Sequence, residues 1–137
     1  MLEYQINAIS EQGGKAIANV NNGIIEFDAT TERQDTLANP AELLLASLAA
    51  CMLKNVERFS TILKFEYKQA KVSINGLRND KPPFMSEINY KLEVESGMEE
   101  RTLELLHKNI LKFGTITNTL AKVAKLNGTI ELIEISD

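Results

Sequence analysis

The segment from Leu43 to Leu53 constrains the fold most, because it predicts a helix with no polar side. The motif directly before it starts that helix: Asn39 suits the N-cap, Pro40 the first helical position, and Glu42 the third position of a capping box. In the apolar segment itself only Ser47 is polar. A helix that is apolar all round must be enclosed on every side.

Beyond Leu53 the apolar residues narrow to one stripe, formed by Val56, Phe59 and Ile62, so this end of the helix has one solvated face. A helix of roughly 24 residues would be about 36 Å long. A domain of 137 residues cannot easily surround the first half of such a helix alone. The helix therefore predicts a homodimer in which a second subunit completes the cover.

Alternating and helical spacings predict the other elements. The first thirty residues indicate a three-stranded meander, starting at Leu2 and turning at Asn21-Asn22-Gly23. After the long helix come two strands around a turn at Asn79 to Pro83, then a helix with a Ser96/Glu99 capping box. That helix ends at Gly114 as the C′ glycine, and Thr115 or Thr117 starts a short helix that Asn127-Gly128 closes before a last strand. The order is βββαββααβ, an α+β fold with mainly antiparallel sheets in a single domain, residues 1–137.

The composition excludes several classes of function. A net charge of −4, without a basic stripe or any Trp, argues against a nucleic-acid partner. One Cys and one His, His107, exclude a disulfide framework and the common zinc motifs, so we expect neither a metal nor a bound cofactor. The N-terminus does not resemble a signal peptide, and the apolar segment is too short to span a bilayer. These features predict a cytoplasmic protein without a membrane partner.

Three segments carry a family resemblance. NPAELLLASLAACM, Asn39 to Met52, resembles the OsmC/Ohr signature in which Asn-Pro or Ser-Pro opens a small-residue helix ending in Ala-Ala-Cys. GTITNTLAKV, Gly114 to Val123, resembles the second signature, Cys-Pro-x-Ser/Thr-x-x-Leu, and PPFMSEINYKLEV resembles the segment between the two. The resemblance covers nearly the whole chain. It implies the OsmC-like fold, an intertwined α/β homodimer with its two central helices packed at the middle.

The resemblance also implies a chemistry, from which this sequence departs. The best-known members of the family reduce organic hydroperoxides with two cysteines, assisted by an Arg and a Glu. Here Gly114 stands at the position of the second cysteine, and Lys15 stands where the Arg is expected after a Gly-Gly pair. Ala41 replaces the glutamate, with Glu42 one residue later. The sequence thus resembles a divergent member that keeps one cysteine.

Cys51 is the predicted nucleophile. Its helical neighbours at i+3, i+4 and i+7 are Lys54, Asn55 and Arg58, a polar row on an otherwise apolar helix. Lys54 and Arg58 would favour the thiolate and orient a peroxide. Alternatively, Cys51 is a small core residue, and the row marks the point where the helix reaches the surface.

The remaining site residues follow from the resemblance and from charge. Lys15 and Arg58 are the candidate positive charges for the leaving alkoxide. Glu42 either holds a cation near the peroxide or serves only the capping box, and His107 is expected at the edge of the core rather than as a base. The predicted substrate-binding residues are Lys54, Asn55, Phe59 and Gly114.

Three functions remain open at this point. The first is a one-cysteine, thiol-dependent peroxidase that reduces organic hydroperoxides through Cys51 and needs an external thiol as reductant. The second is a dimer that binds a small apolar ligand and has lost peroxidase activity. The third is a purely structural or regulatory dimer.

Overall fold

The computed structural model describes residues 1–136, in which the elements follow the predicted order βββαββααβ. The α+β class is therefore confirmed. The chain divides into two compact units, Met1–Leu44 and Leu45–Asp137, which are described separately below. The expectation of a single domain stays a prediction.

The first unit contains the predicted meander. Strands β1 (Asn7–Ser10), β2 (Lys15–Val20) and β3 (Gly23–Asp28) form an antiparallel sheet in the order β1-β2-β3. Asn21 has a φ of 54°, which Asn tolerates better than most residues, so the hairpin turn lies where it was predicted. The predicted start of the first strand was wrong. Leu2 and Tyr4 precede β1 and are 80% and 79% exposed, because their alternating pattern has no strand to pair with.

Helix α1 (Pro40–Ile62) begins in the first unit and continues into the second. The predicted capping box is present: the Glu42 amide donates to Asn39 Oδ1 at 2.9 Å, and the Asn39 amide donates to Glu42 Oε1 at 3.1 Å. Within the single chain α1 is not enclosed on every side, since Leu44 remains 37% exposed. The buried residues of α1 are Leu48, Met52, Asn55, Val56 and Phe59.

The second unit contains a mixed sheet. Strands β4 (Gln69–Asp80) and β5 (Pro83–Glu95) form an antiparallel pair, and β6 (Lys125–Ile133) lies parallel to β5. Parallel neighbours need a crossover connection, which helices α2 (Glu100–Phe113) and α3 (Thr115–Ala121) supply. The prediction of mainly antiparallel pairing holds for the first sheet and for β4–β5, but it missed the parallel pair.

Two predicted boundaries were wrong because distant contacts override the local signal. Asn127 and Gly128 lie within β6 and do not form a turn. A side chain at Gly128 would collide with the Tyr90 ring at 2.4 Å, so the glycine serves close packing inside the sheet. Ser96 does not cap α2: its hydroxyl donates to the Glu66 carbonyl at 2.5 Å, and Glu99 occupies the N-cap without a side-chain bond.

The core of the second unit consists of apolar side chains from α1, β5, α2 and α3 and their connections. Eight of them, from three elements, are completely buried: Leu48, Met52, Val56, Ile88, Leu92, Val94, Leu106 and Ile110. The middle of α1 belongs to this core through Leu48 and Met52. Cys51 lies between these two residues on the helix, so the core sets its position.

Candidate functional site

Cys51 lies in the middle of α1 as a free, half-buried thiol. Its side chain is neither fully buried nor fully exposed to solvent. A reactive cysteine needs access together with a polar environment, whereas a fully buried one is inert. The groups around its sulfur therefore decide what Cys51 can do.

Two buried polar side chains approach the sulfur. Asn55 donates through Nδ2 to the Cys51 carbonyl at 2.9 Å, and the same nitrogen lies 3.7 Å from Cys51 Sγ. Thr117 on α3 places Oγ1 3.9 Å from Sγ. Asn55 and Thr117 are only 8% and 2% exposed. The structure thus brings the predicted residue Asn55 to Cys51.

Gly114, between α2 and α3, also lies against the sulfur. A Cβ atom built on Gly114 would be 3.1 Å from Cys51 Sγ. In a disulfide the Cβ of one cysteine lies about 3 Å from the sulfur of the other, given an S–S bond of about 2.04 Å. The same Cβ would lie 2.7 Å from Thr117 Oγ1 and 2.9 Å from the Ile110 carbonyl oxygen, so the present packing suits glycine. Gly114 has a φ of −73°, so it is not the predicted left-handed C′ residue.

The predicted cations of α1 are both solvent-exposed. The Arg58 guanidinium carbon lies 5.4 Å from the centre of the Phe59 ring, in a cation–π arrangement. No hydrogen bond or ion pair joins Lys54 or Arg58 to Cys51 within the described second unit. Phe59 is only 4% exposed and packs at 5.9 Å on the Phe113 ring, so it belongs to the core.

Lys15 and Glu42 belong to the first unit. Lys15 is the exposed first residue of β2. Glu42 accepts the capping bond from Asn39, and its other carboxylate oxygen lies 3.5 Å from Arg33 Nη2. An arginine therefore pairs with the glutamate within this unit, and sequence reasoning did not single it out. The signal was weak, because Arg33 lies in a polar connection without a periodic pattern.

Thr117 is the site residue in the second unit that sequence reasoning missed. Local spacing predicts Thr117 only as a possible start of a helix. The quoted second signature, Cys-Pro-x-Ser/Thr-x-x-Leu, places its Ser/Thr three residues after the cysteine position. That position is Thr117 when Gly114 is the first residue of the motif. The motif could therefore have identified the residue, although helical spacing could not.

His107 is half-buried at the edge of the core, as expected, and none of its described contacts is with Cys51. Its Nε2 is 2.6 Å from the hydroxyl oxygen of Tyr90, and the two rings meet edge to face. Burial lowers the pKa of His107 and raises that of Tyr90, because both charged forms lose hydration. These directions favour a neutral His107 whose Nε2 accepts a hydrogen bond from the Tyr90 hydroxyl.

The second unit has a groove whose lining does not include Cys51. This groove of about 780 Å³ is lined by residues that follow α1 and by residues around the start of α2. Phe65, Tyr67, Met98 and Thr102 are among them, and Cys51 is not. Within residues 1–136, no group of three His, Cys, Asp or Glu side chains is placed to hold a metal ion. Of the helices in this range, none has the length and apolarity needed to cross a membrane.

Comparison with known proteins identifies relatives by fold. The OsmC-like protein from Mycoplasma pneumoniae matches with a TM-score of 0.86 and 22% identity, over 96% of this chain and 98% of that one. A hypothetical protein from Aquifex aeolicus VF5 gives the same TM-score and identity over 99% and 100% of the two chains. The organic hydroperoxide resistance protein OhrB of Bacillus subtilis matches with a TM-score of 0.67 and 13% identity, over 96% and 98%. No curated protein matches the sequence.

The family model described as OsmC-like protein matches residues 33–127, well over half of the chain. This range contains both signatures, from Asn39 to Met52 and from Gly114 to Val123. The sequence model and the structural matches agree on one assignment. The chain belongs to the OsmC-like protein family.

Proposed function

We propose that this protein is a one-cysteine, thiol-dependent peroxidase that reduces organic hydroperoxides through Cys51. The observation that carries the proposal is the contact between Cys51 and position 114. A Cβ at position 114 would lie at about the distance from Cys51 Sγ that a disulfide requires. The cysteine positions of the two family signatures are therefore adjacent in the structure. Two buried polar side chains share this place, Asn55 and Thr117.

The first chemical step is an attack of the Cys51 thiolate on the distal oxygen of the hydroperoxide. A sulfur–oxygen bond forms, the oxygen–oxygen bond breaks, and an alkoxide leaves. The alkoxide takes up one proton and becomes an alcohol. Cys51 is oxidised to sulfenic acid while the hydroperoxide is reduced by two electrons.

The second half of the cycle needs an external thiol, because the chain contains one cysteine. One thiol condenses with the sulfenic acid and releases water, which leaves a mixed disulfide on Cys51. A second thiol attacks that disulfide, restores the Cys51 thiol and leaves as the oxidised disulfide. A reducing, cytoplasmic location would supply such thiols, and we propose it as the place of action.

A second candidate function is a dimer that binds an apolar ligand without reducing it. One observation favours this candidate: within the second unit, the described contacts of the Cys51 sulfur come from neutral groups. A leaving alkoxide needs a proton or a positive charge nearby. If neither Lys15 nor Arg58 supplies one during the reaction, Cys51 would be a lining residue only.

We also propose a homodimer. In the single chain several apolar side chains of the first unit are exposed, among them Tyr4 at 79%, Ile9 at 64% and Ile24 at 60%. By their register, Ile9 and Ile24 lie on the same face of the three-stranded sheet. An exposed apolar face is typical of an interaction site. A second copy of the chain is the partner we propose for this surface.

Brief exposure of the reduced protein to cumene hydroperoxide, followed by intact-mass measurement, tests the proposed chemistry. We expect rapid addition of one oxygen atom to Cys51, trapping of the product by dimedone, and a slower reaction with hydrogen peroxide. The Cys51→Ser variant is the control and should gain no oxygen. A Cys51 that reacts no faster than a free thiol would overturn the proposal and favour the ligand-binding dimer.

A further inference from the structure

We propose that Asn55 and Thr117 form a charge-neutral donor pair that holds the Cys51 sulfur as a thiolate. The inference deepens the proposed function and rests on it, because it names the groups that prepare Cys51 for attack. The donor pair denotes these two side chains below. Both are buried, and both approach the sulfur itself.

The hydroxyl of Thr117 has a single hydrogen-bond partner within the described residues. The side chain is 2% exposed, and the only hydrogen-bond partner of Oγ1 within residues 1–136 is Cys51 Sγ, at 3.9 Å. Burying a hydroxyl costs free energy unless it is hydrogen-bonded, and a valine of the same shape would avoid that cost. Packing alone therefore does not explain a threonine here. A polar partner at the sulfur does.

Asn55 lies one helical turn after Cys51 on α1 and also approaches the sulfur. Its side-chain nitrogen carries two N–H groups and can only donate. It donates to the Cys51 carbonyl at 2.9 Å, which fixes the amide, and it lies 3.7 Å from Sγ. Asparagine is also less favourable than leucine in the interior of a helix. Asn55 is nevertheless buried in the middle of α1, next to the sulfur.

The two donors prefer the anionic form of the sulfur. Hydrogen bonds donated to a charged form stabilise it relative to the neutral form. The Thr117 hydroxyl can accept from the thiol or donate to the thiolate, whereas the Asn55 amide nitrogen can only donate. When Cys51 loses its proton to solvent, both groups can therefore donate to Sγ.

The charged side chains near this place are directed elsewhere. On α1, Lys54 is exposed and the Arg58 guanidinium lies on the Phe59 ring. At the end of α2, Lys112 Nζ lies 5.2 Å from the centre of the Phe113 ring. Helix α3, with the sequence TITNTLA, carries no charged residue. Since the donor pair consists of dipoles rather than ions, its effect should depend little on ionic strength.

The rate at which iodoacetamide alkylates Cys51 tests the proposal, followed by intact mass across a range of pH. The single cysteine makes the signal unambiguous. We expect Thr117→Val to move the pH profile to higher pH and to slow alkylation at pH 7 about fivefold, the order of one lost hydrogen bond. Asn55→Leu should act in the same direction, and Thr117→Ser should restore the wild-type profile.

A matched control is available on the same helix. Thr119→Val removes the same hydroxyl from α3, but Thr119 is exposed and donates to the Thr115 carbonyl at 2.8 Å instead. Its alkylation profile should match that of the wild type. The wild-type profile should also keep its midpoint between low and high salt. A Thr117→Val profile equal to the wild type, or a midpoint that moves strongly with salt, would overturn the proposal.

The infrared spectrum of the wild-type chain provides a test that needs no folded variant. At a pH below the midpoint of the alkylation profile, where Cys51 is a thiol, its S–H can donate to Thr117 Oγ1, so the S–H stretching band should lie at lower frequency than that of a free thiol. The band should disappear above that midpoint, and Cys51→Ser should abolish it at every pH. A band at the free-thiol frequency would overturn the donor pair. Alkylation requires no peroxide, so the two proposals can fail separately. A predicted Thr117→Val shift without peroxide reduction refutes only the peroxidase, and peroxide reduction with an unshifted profile refutes only the donor pair.

Discussion

The two units of the chain bury their apolar residues very differently. In the first unit, within the described residues, the buried apolar side chains are Ala16 and Ala18, while Ile9 and Ile24 are 64% and 60% exposed. The second unit contains the whole cluster of large buried side chains, from Leu48 to Ala124. A unit as small as Met1–Leu44 rarely folds alone without metals, disulfides or association. The second unit is therefore stabilised by its own core, whereas the first unit depends on further contacts.

The largest effect is expected for truncation in the core of the second unit. Leu92 on β5 is fully buried, so Leu92→Ala should lower the free energy of unfolding by about 2–5 kcal/mol. Leu105 on α2 is 44% exposed, and Leu105→Ala should cost about 1 kcal/mol or less. Urea unfolding followed by circular dichroism measures both values. Equal losses for the two variants would contradict the assignment of the core.

The next effect concerns association through the first unit. Wild-type protein at micromolar concentration should scatter light with twice the mass of one chain. Ile24→Lys should shift it toward the single-chain mass, because a charge would be placed in the proposed interface. Leu105→Lys is the matched change in the second unit and should leave the dimer intact. A wild-type protein with the mass of one chain would refute the proposed dimer.

A smaller effect is expected at Gly114 in the second unit. Gly114→Ala should destabilise the chain by about 1–3 kcal/mol, because its Cβ would press on Thr117 Oγ1 and the Ile110 carbonyl. Gly114→Cys adds a sulfur directed at Cys51 and should form a disulfide in mild oxidant, seen as the loss of two titratable thiols. Two thiols that survive oxidation would mean that position 114 is farther from Cys51 than the structure shows.

How far the site could be predicted from sequence follows from the range of its contacts. The capping box of Asn39 and Glu42 is local and was predicted correctly, because its partners are three residues apart. The motif placed Gly114 at the second cysteine position, and in the structure Gly114 lies against the Cys51 sulfur. The contact between Thr117 and Cys51 joins residues 66 apart, which no helical period predicts.

The fold shows the same division between local and distant contacts. The order of elements followed from hydrophobic periodicity and turn residues, and it was correct throughout. The prediction of a turn at Gly128 was wrong because a residue distant in sequence requires the glycine. The Tyr90 ring occupies the space that a side chain at position 128 would need. Ser96 was misread as a cap because its hydroxyl bonds to the Glu66 carbonyl, 30 residues away.

The smallest effects are two pH dependences that distinguish the units. In the second unit, burial lowers the pKa of His107 from 6.5. As pH falls, His107 is therefore protonated at a higher pH in the unfolded chain than in the folded chain. Its contribution to stability is complete above pH 6.5 and declines below it. In the first unit, hydrogen bonds from Thr30 and then Gln34 lower the pKa of Asp28 from 3.8 to about 2. That contribution is present above pH 3.8 and is lost as pH falls toward about 2.

Thermal unfolding at a series of pH values measures both dependences. His107→Gln should flatten the decline below pH 6.5, and Asp28→Asn should flatten the decline below pH 3.8. Each variant should leave the other decline in place, because the two residues belong to different units. If both variants altered the same pH range, the separate assignment of the two titrations would be wrong.

One cysteine in the second unit is proposed to suffice for catalytic reduction of an organic hydroperoxide. Turnover with cumene hydroperoxide and a small dithiol such as dithiothreitol tests it most directly, with Cys51→Ser as the background. We predict that each chain consumes many equivalents of hydroperoxide and that Cys51→Ser consumes none above the uncatalysed rate. Equal consumption by the wild type and by Cys51→Ser would contradict the claim.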